Sequence, residues 1–242
     1  MPEPNAIAPG DFVRRSFVYR KLAAAGANFG EVAGAAVALD FGDPAGEATS
    51  ARRMALADLS PLPRTGFKGA GTPEWLTGQG VLVPEQSNRA MRQPGGGLAA
   101  RVAPGEVVIL GDLAGAGGLP GRLLEAWAAE PVPPETPRGY PMPRGETHAW
   151  FLVTGAQAAA MFAKICGVDL RPGYFGQGRI AQTSVARLNA VIVRDDQGAV
   201  PAYHLLADCT SADYLWDCVL DAMAEFDGGP IGLTAVKGLS GG

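Results

Sequence analysis

The sequence predicts an α+β protein built from two related halves. Residues 64–76 and residues 148–162, about 84 positions apart, share one pattern: a short strand, a glycine step and the beginning of a helix. An internal repeat constrains the whole fold, and this one favours two packed α+β halves over a βαβ chain with a single nucleotide crevice. The glycine-rich segments at 94–97 and 115–121 do not match the dinucleotide-binding fingerprint.

The composition indicates a globular protein without a nucleic-acid footprint. The chain has 242 residues, 47% of them hydrophobic, which is enough for one sizeable core or two small fused cores. The formal net charge is −4 and the arginines are scattered, whereas nucleic-acid binding needs a basic face. Apolar stretches are short and broken by glycine, and the first residues lack an apolar signal core. We therefore expect a cytoplasmic protein with neither nucleic-acid nor membrane partners.

The cysteines and histidines offer little chemistry. Three cysteines without CxxC spacing argue against a disulfide framework and against zinc, and we interpret them as small buried hydrophobes. His148 and His204 are far apart in the sequence and have no local metal-ligand partner. No P-loop, G-x-S-x-G or HExxH motif is present. We expect neither a catalytic residue nor a metal site.

The first part of the chain predicts alternating short strands and helices. Thr72, Pro73 and Glu74 form the clearest helix start, because a capping residue, a proline at the first helical position and an acid in the first turn all favour it. The predicted elements are an ordered element that starts at 17–22 and ends at Gly26, a strand at 37–41, a helix at 44–57, a strand around 64–68, a helix from 72, a hairpin of strands at 98–102 and 106–110, and a helix at 121–129.

A proline-rich segment predicts the boundary between the halves. Six prolines, at positions 131, 133, 134, 137, 141 and 143, favour an extended conformation. We therefore divide the chain into a first half at 1–130, a linker at 131–145 and a second half at 146–242, together forming one compact unit.

The second half predicts strands and helices in the same alternation. The last helix is the clearest, with Thr210 and Asp213 close to a capping box and an apolar stripe that ends before Gly228. The other predicted elements are a strand at 148–154, a helix at 157–165, a strand at 186–194, a turn at 195–198 and a returning strand at 203–207.

Several short segments resemble a known family. Residues 17–26, 51–60 and 65–69 resemble, in this order, the opening of the glycine-cleavage T-proteins, which are aminomethyltransferases. The second half resembles the γ subunit of heterotetrameric sarcosine oxidase, a relative of the T-protein fold, at residues 149–152, 166–170, 178–183 and 213–226. The two resemblances cover about two-thirds of the chain. They imply two ferredoxin-like α/β halves with antiparallel sheets.

One departure from the T-protein pattern bears on activity. T-proteins carry a Gly-Gly-x-x-Asp-Asp pattern in which one aspartate faces the folate, whereas this chain has Gly-Gly-Leu-Ala-Ala-Arg at 96–101. We interpret alanines as occupying the aspartate positions, and a methyl group cannot hydrogen-bond a pterin or stabilise a developing charge. The 242 residues also leave no room for the C-terminal barrel of T-proteins. We expect no aminomethyl transfer.

The resemblance implies a non-catalytic γ-type subunit of a flavin-dependent, amine-demethylating oxidoreductase similar to sarcosine oxidase. It implies larger flavoprotein subunits as partners, and flavin, NAD and tetrahydrofolate are expected on them rather than on this chain alone. We predict partner contacts at Trp127, Tyr140, Tyr174 and Phe175, with core positions as the alternative for Trp127 and Tyr140.

Two other functions stay open. The main alternative is a stand-alone folate-binding protein or small aminomethyltransferase, for which Asp58 and Arg101 are the candidate folate-binding residues. A turn residue between helix and strand is the structural alternative for Asp58. A structural adaptor in another assembly is the third hypothesis.

Overall fold

Two compact units interleave along the chain. The computed structural model describes residues 7–115, 118–130 and 137–239. Unit 1 combines the chain up to Pro61 with His148–Gln177 and the residues from Ala181 onward, whereas unit 2 combines Leu62–Thr147 with Gly178–Ile180. These boundaries differ from the predicted halves because a strand ending at Asp58 pairs with the strand that begins at His148. Residues 131–136 of the predicted linker lie outside the described residues.

Unit 1 begins with a three-stranded sheet and two short helices. Strand β3 lies between β1, to which it is parallel, and β2, to which it is antiparallel. The hairpin between β2 and β3 turns at Ala33 and Gly34, both at positive φ. The bounds of this region are β1 (Arg14–Arg15), α1 (Tyr19–Ala24), β2 (Asn28–Val32), β3 (Ala35–Asp40) and α2 (Pro44–Arg53).

A six-stranded sheet forms the centre of unit 1. Its strands are β4 (Ala55–Asp58), β10 (His148–Thr154), β11 (Ile180–Val185), β12 (Leu188–Arg194), β13 (Ala202–Asp208) and β14 (Gly229–Pro230), in the order β11-β12-β13-β10-β4-β14. The longest ladder joins β10 to β13, from His148 opposite Asp208 to Thr154 opposite Ala202. Strand β14 is parallel to β4.

The two faces of this sheet differ in chemistry. Successive side chains of a strand alternate between faces, and Phe151, Val153 and Leu205 pack in one core with Phe162 and Trp216. That core includes helices α6 (Ala158–Ile165) and α7 (Ala212–Met223), whereas α8 (Leu233–Leu239) contacts α2 and β3. Trp150, Thr154 and His204, which are buried, occupy the alternate positions, whereas the buried Asp58 and Arg194 lie opposite the core residues Phe151 and Tyr203.

Unit 2 contains a five-stranded antiparallel sheet. Its strands are β5 (Arg64–Lys68), β6 (Arg89–Arg92), β7 (Leu98–Ala103), β8 (Glu106–Leu110) and β9 (Tyr140–Met142), in the order β6-β7-β8-β5-β9. Its helices are α3 (Thr72–Gly78), α4 (Leu119–Ala129) and α5 (Arg144–Thr147). Phe67, Ile109 and Leu123 form its core with Trp75 and Leu76.

The predicted strand–glycine–helix repeat is present in both units. In unit 2 it is β5, a glycine pair and α3; in unit 1 it is β10, Gly155 and α6. Gly71 has φ of +74° and Gly155 has φ of +112°. A Cβ atom on Gly71 would lie 1.9 Å from the Pro137 carbonyl oxygen, and one on Gly155 would lie 2.3 Å from the Arg53 carbonyl. Only glycine fits either step, which is why the pattern is visible in the sequence.

Most predicted elements are confirmed, and so is the α+β class with antiparallel sheets. The predicted capping box at Thr210 is wrong: α7 is preceded by Ser211, which forms no side-chain cap, and the Asp208 side chain accepts from the Thr210 amide instead. A 3-10 turn at Cys209–Ser211 moves the start of the helix past Thr210. Within the described ranges, no helix is long and apolar enough to cross a bilayer.

Candidate partner interface and ligand residues

An aromatic and charged cluster in unit 2 surrounds Trp127 on α4. The guanidinium carbon of Arg138 lies 4.3 Å from the centre of the Trp127 ring. Nη1 of Arg138 donates to the Trp127 carbonyl at 2.8 Å and to Oε2 of Glu130 at 3.1 Å. Nε1 of Trp127 donates to the Gly139 carbonyl at 3.1 Å. The buried guanidinium is therefore held on one aromatic face and balanced by a carboxylate.

Tyr140 extends this cluster to the surface. Its ring centre lies 6.3 Å from that of Trp127, and the residue is 71% exposed. Tyr140 lies on the edge strand β9, where Pro141 lacks a backbone N–H, as is typical of edge positions. A large aromatic ring on a fixed base is a common anchor in protein interfaces. The half-buried Trp127 therefore supports the exposed ring of Tyr140.

The other two predicted interface residues, in unit 1, have opposite environments. Tyr174 is 65% exposed, with the guanidinium carbon of Arg171 4.8 Å from its ring centre. Arg171 is paired in turn with Asp169, and the hydrogen bonds from this guanidinium lower the pKa of the Asp169 carboxyl. Phe175 is buried in the core of unit 1, so it is a core residue and does not belong to the accessible surface. Two aromatic residues that are adjacent in a loop carry no sequence signal that tells which one is exposed and which one is buried in the core.

Asp58 closes a turn at the end of β4. It is buried, and its Oδ1 accepts from the Ser60 amide at 3.1 Å. The Ser60 hydroxyl in turn accepts from the Trp150 amide at 3.0 Å. These hydrogen bonds make Asp58 a turn residue, which is the structural alternative to folate binding. A contact between Asp58 and folate stays a prediction.

Arg101, in unit 2, binds backbone carbonyls. Its Nη1 donates to Pro84 at 3.0 Å and to Glu85 at 2.7 Å, and its Nη2 donates to Pro104 at 2.7 Å. The guanidinium therefore ties the loop before β6 to the β7–β8 turn. A role for Arg101 in holding a folate carboxylate stays a prediction, and it requires that some of these bonds be exchanged.

The glycine-rich loop before β7 borders a shallow depression of about 420 Å³ in unit 2. In the pattern Gly-Gly-x-x-Asp-Asp that begins at Gly96, the two aspartate positions are Ala100 and Arg101, so the interpretation that alanines occupy both positions is wrong. Ala100 is buried in β7. The described residues that line the depression include no carboxylate: they are Gly80, Gln93, Pro94, Gly95, Gly96, Gly118, Leu119 and Arg122.

A buried polar network in unit 1 was missed by the sequence analysis. Nε1 of Trp150 donates to Nδ1 of His204 at 3.0 Å, and Nε2 of His204 faces Oδ2 of Asp195 at 3.4 Å. Gln177 and Gln197 donate to the same carboxylate at 3.1 and 3.0 Å. Trp150 and His204 occupy alternate-face positions of their strands, but only the pairing of β10 with β13 brings them together.

In the described part of the chain, no three or more His, Cys, Asp or Glu side chains lie together as a metal site would require. The cluster around Trp127 and Tyr140 is suited to docking, and the network of Trp150, His204 and Asp195 is suited to structural hydrogen bonding.

The fold of this chain is similar to that of known solved structures. The chain aligns with the crystal structure of glycine cleavage system aminomethyltransferase T from Bartonella henselae, with a TM-score of 0.70 and 17% identity over 94% of this chain. The chain has the aminomethyltransferase-like fold. It spans 62% of the length of the Bartonella protein.

A second solved structure aligns over a smaller part of the chain. It is heterotetrameric sarcosine oxidase from Corynebacterium sp. U-96 in complex with pyrrole 2-carboxylate, with a TM-score of 0.58 and 19% identity over 77% of this chain and 93% of the other. No protein-family model matches the sequence, and no curated protein is significantly similar. The predicted relationships to T-proteins and to sarcosine oxidase are confirmed at the level of fold.

Proposed function

We propose that this chain is a non-catalytic γ-type subunit of a heteromeric, flavin-dependent oxidoreductase that demethylates amines, similar to sarcosine oxidase. It packs on the one-carbon-handling domain of a larger subunit. Flavin, NAD and tetrahydrofolate are held by the larger subunits.

The observation that carries this proposal is the alignment with one chain of a heterotetramer. The alignment covers 93% of that chain and 77% of ours, so the matched chain is the shorter of the two. Nearly all of a subunit from a four-chain assembly therefore has a counterpart here. A chain of this size and fold is suited to be one component of such an assembly.

The positions equivalent to the T-protein aspartates support the non-catalytic part of the proposal. Ala100 offers no polar atom on its side chain, and Arg101 is engaged with three backbone carbonyls. Neither residue can act as a carboxylate toward a pterin or a developing positive charge.

Exposed aromatic residues support the docking part of the proposal. Tyr140 in unit 2 and Tyr174 in unit 1 are both exposed, and each ring is held by a neighbour. Tyr140 lies beside Trp127, whose ring contacts Arg138, and the ring of Tyr174 contacts Arg171. An exposed tyrosine with a fixed base loses little conformational freedom when it is buried by a partner.

Purification of the tagged chain from its native host tests the proposal. We expect a stable complex whose visible spectrum shows flavin, and oxidation of a methylated amine by the complex but not by this chain alone. Replacing Tyr140 with Ser should reduce recovery of the flavoprotein, whereas Tyr214→Ser, at an exposed tyrosine of unit 1 outside the predicted interface, should leave it unchanged. A monodisperse monomer without any flavoprotein would contradict the proposal.

The folate-binding alternative is supported by the alignment with aminomethyltransferase T over 94% of this chain. Fluorescence titration of the isolated chain with a reduced folate tests it. Saturable binding that is lost in Asp58→Asn would favour this function. Asp112→Asn is a matched control, because the Asp112 carboxylate also accepts from a backbone amide two residues on, in unit 2.

A further inference from the structure

Two arginines near the beginning of unit 1 share one tyrosine ring. The guanidinium carbon of Arg15 lies 5.1 Å from the centre of the Tyr19 ring, and that of Arg20 lies 5.3 Å from it. Nη1 of Arg15 also donates to the Phe12 carbonyl. Cation–aromatic attraction therefore holds both guanidinium groups against the same ring.

Among the described residues, neither of these arginines is paired with a carboxylate, whereas the neighbouring Lys21 is. Lys21 is paired with Asp217 at 2.8 Å, and Arg14 donates to the carbonyls of Ala33 and Pro61 at 3.1 and 2.9 Å. Over the described ranges, neither Arg15 nor Arg20 has a carboxylate within the 4.0 Å of a salt bridge. Both guanidinium groups therefore keep their capacity for a carboxylate partner.

Apolar side chains border the two arginines in the sequence. Val13 is 99% exposed and Phe17 is 37% exposed. A fully exposed valine gains from any contact that removes it from water. We use the name Tyr19 patch for Val13, Arg15, Phe17, Tyr19 and Arg20.

The chemistry of the Tyr19 patch fits an acidic protein surface. Guanidinium groups bind carboxylates in a planar, bidentate geometry, and arginine with tyrosine is enriched in protein interfaces. The chain carries a net charge of −4, so a basic patch contrasts with the rest of it. Binding to an anionic membrane typically uses about four to eight clustered cations, more than the three here, Arg14, Arg15 and Arg20, that have no ion-paired carboxylate among the described residues.

We propose that the Tyr19 patch docks a surface of a partner subunit that presents Asp or Glu carboxylates beside apolar side chains. The identity of that partner, the larger flavoprotein subunit, rests on the function proposed above. The carboxylates bridge Arg15 and Arg20, and the apolar side chains cover Val13 and Phe17.

The double variant Arg15→Glu/Arg20→Glu tests the docking in the full-length, tagged chain purified from its host. The matched control is Arg52→Glu, an exposed arginine of α2 in the same unit. We expect the double variant to bind the flavoprotein about tenfold or more weakly, equivalent to about 1.4 kcal/mol or more, and the control to bind within about twofold of wild type. Circular dichroism melting shows whether the variants fold.

Ionic strength provides a second measurement. Raising it from about 0.01 M to about 1 M shortens the screening length from about 30 Å to about 3 Å. We expect wild-type affinity for the flavoprotein to fall over this range, and the affinity of the double variant to change much less.

The outcomes separate this inference from the proposed function. If wild type and the folded double variant retain the flavoprotein equally, the docking role is overturned and the proposed function stands. If wild type retains no flavoprotein, the proposed function fails, and a peptide of alternating Glu and Leu serves as the probe of the patch. Peptide binding that the double variant loses supports the docking role. Binding only to phosphatidylglycerol vesicles, or to neither probe, overturns it.

Discussion

Trp150 fixes the protonation of His204. The indole Nε1 of Trp150 donates to Nδ1 of His204 at 3.0 Å, and an indole N–H can only donate. Nδ1 must therefore be unprotonated, so the ring proton lies on Nε2, which faces Oδ2 of Asp195 at 3.4 Å. Both Trp150 and His204 are buried. The network consequently selects one tautomer of a neutral imidazole.

This tautomer can be observed directly. We expect long-range nitrogen–proton correlation spectra at neutral pH to show His204 with a protonated Nε2 and an unprotonated Nδ1. His148, which is only partly buried, serves as the internal reference. An Nδ1-protonated signal for His204 would contradict the donor assignment.

Loss of the Trp150 donor should destabilise unit 1. Trp150→Phe leaves Nδ1 of His204 buried without this donor, and an unsatisfied buried polar group costs about 1–3 kcal/mol. Trp216→Phe is the matched control, because Trp216 is also buried and its indole has no hydrogen-bonding partner among the described residues. Urea denaturation should show Trp150→Phe to be less stable than Trp216→Phe by this amount. Equal losses would mean that only ring volume matters.

The hairpin between β11 and β12 carries two non-glycine residues at positive φ. Ala186 has φ of 49° and Arg187 has φ of 69°, and two-residue turns of this kind favour Asn and Gly. Arg187→Gly should therefore stabilise the protein by about 1 kcal/mol, measured by thermal and urea unfolding.

The β2–β3 hairpin provides the reverse experiment. Gly34 has φ of 73° and open space around its missing Cβ, so Gly34→Ala introduces backbone strain without a clash. We expect it to destabilise by about 1–2 kcal/mol. Changes of the same sign in Arg187→Gly and Gly34→Ala would contradict the backbone explanation.

Arg138 should matter more for stability than an exposed arginine of the same unit. Arg138→Met removes the stacking on Trp127 and the bond to Glu130, and a hydrogen bond to a charged group contributes about 1.5–3 kcal/mol. Arg122→Met is the control, since Arg122 is exposed and donates to the Gln79 carbonyl; we expect it to cost less than about 0.5 kcal/mol. Similar losses in the two variants, measured by urea denaturation, would show that the cluster is not a stabilising element.

Asp208 should confer a pH dependence through Thr210. The hydroxyl and the amide of Thr210 donate to Oδ1 of Asp208 at 2.6 and 2.9 Å, and these bonds lower the pKa of the Asp208 carboxyl. A lowered folded-state pKa gives stabilisation that is present above the unfolded value of about 3.9 and is lost as the pH falls through the folded value.

Thr210→Val should shift the pKa of Asp208 upward, because only the amide bond remains. Titration of the Asp208 carboxyl carbon by NMR measures this shift. Thr49→Val, which removes a hydroxyl that donates to the Ala45 carbonyl, should leave it unchanged. An unchanged pKa in Thr210→Val would show that the hydroxyl bond is not formed in solution.

Strong local patterns made much of the fold predictable. The hairpin of β7 and β8, the helix from Thr72 and the strand from His148 follow the sequence closely, because turn residues, caps and apolar runs agree at these places. The predicted helix at 44–57 ends earlier, at Arg53, and its last residues form β4. The apolar run at Met54–Ala57 fits a helix or a buried strand equally well, and the pairing with β10 decides between them.

The candidate site residues were harder to predict because their roles depend on contacts between distant segments. The sequence predicted Trp127 and Tyr140 as interface residues but not Arg138, because the role of Arg138 depends on its contact with the Trp127 ring. Strand β11 was missed because its uncharged polar residues alternate only weakly with apolar ones. Asp195 and His204 meet only after β12 and β13 have paired.

The position of β4 has a consequence for synthesis on the ribosome. One neighbour, β10, is translated after all of residues 62–147, and the other, β14, is translated near residue 230. The continuous segment 62–147 makes up most of unit 2 and can fold while both edges of β4 are still unpaired. Late arrival of long-range partners slows folding and exposes edges to aggregation. A nascent chain that stalls before β10 is made therefore exposes both edges of β4, the kind of segment that a chaperone binds.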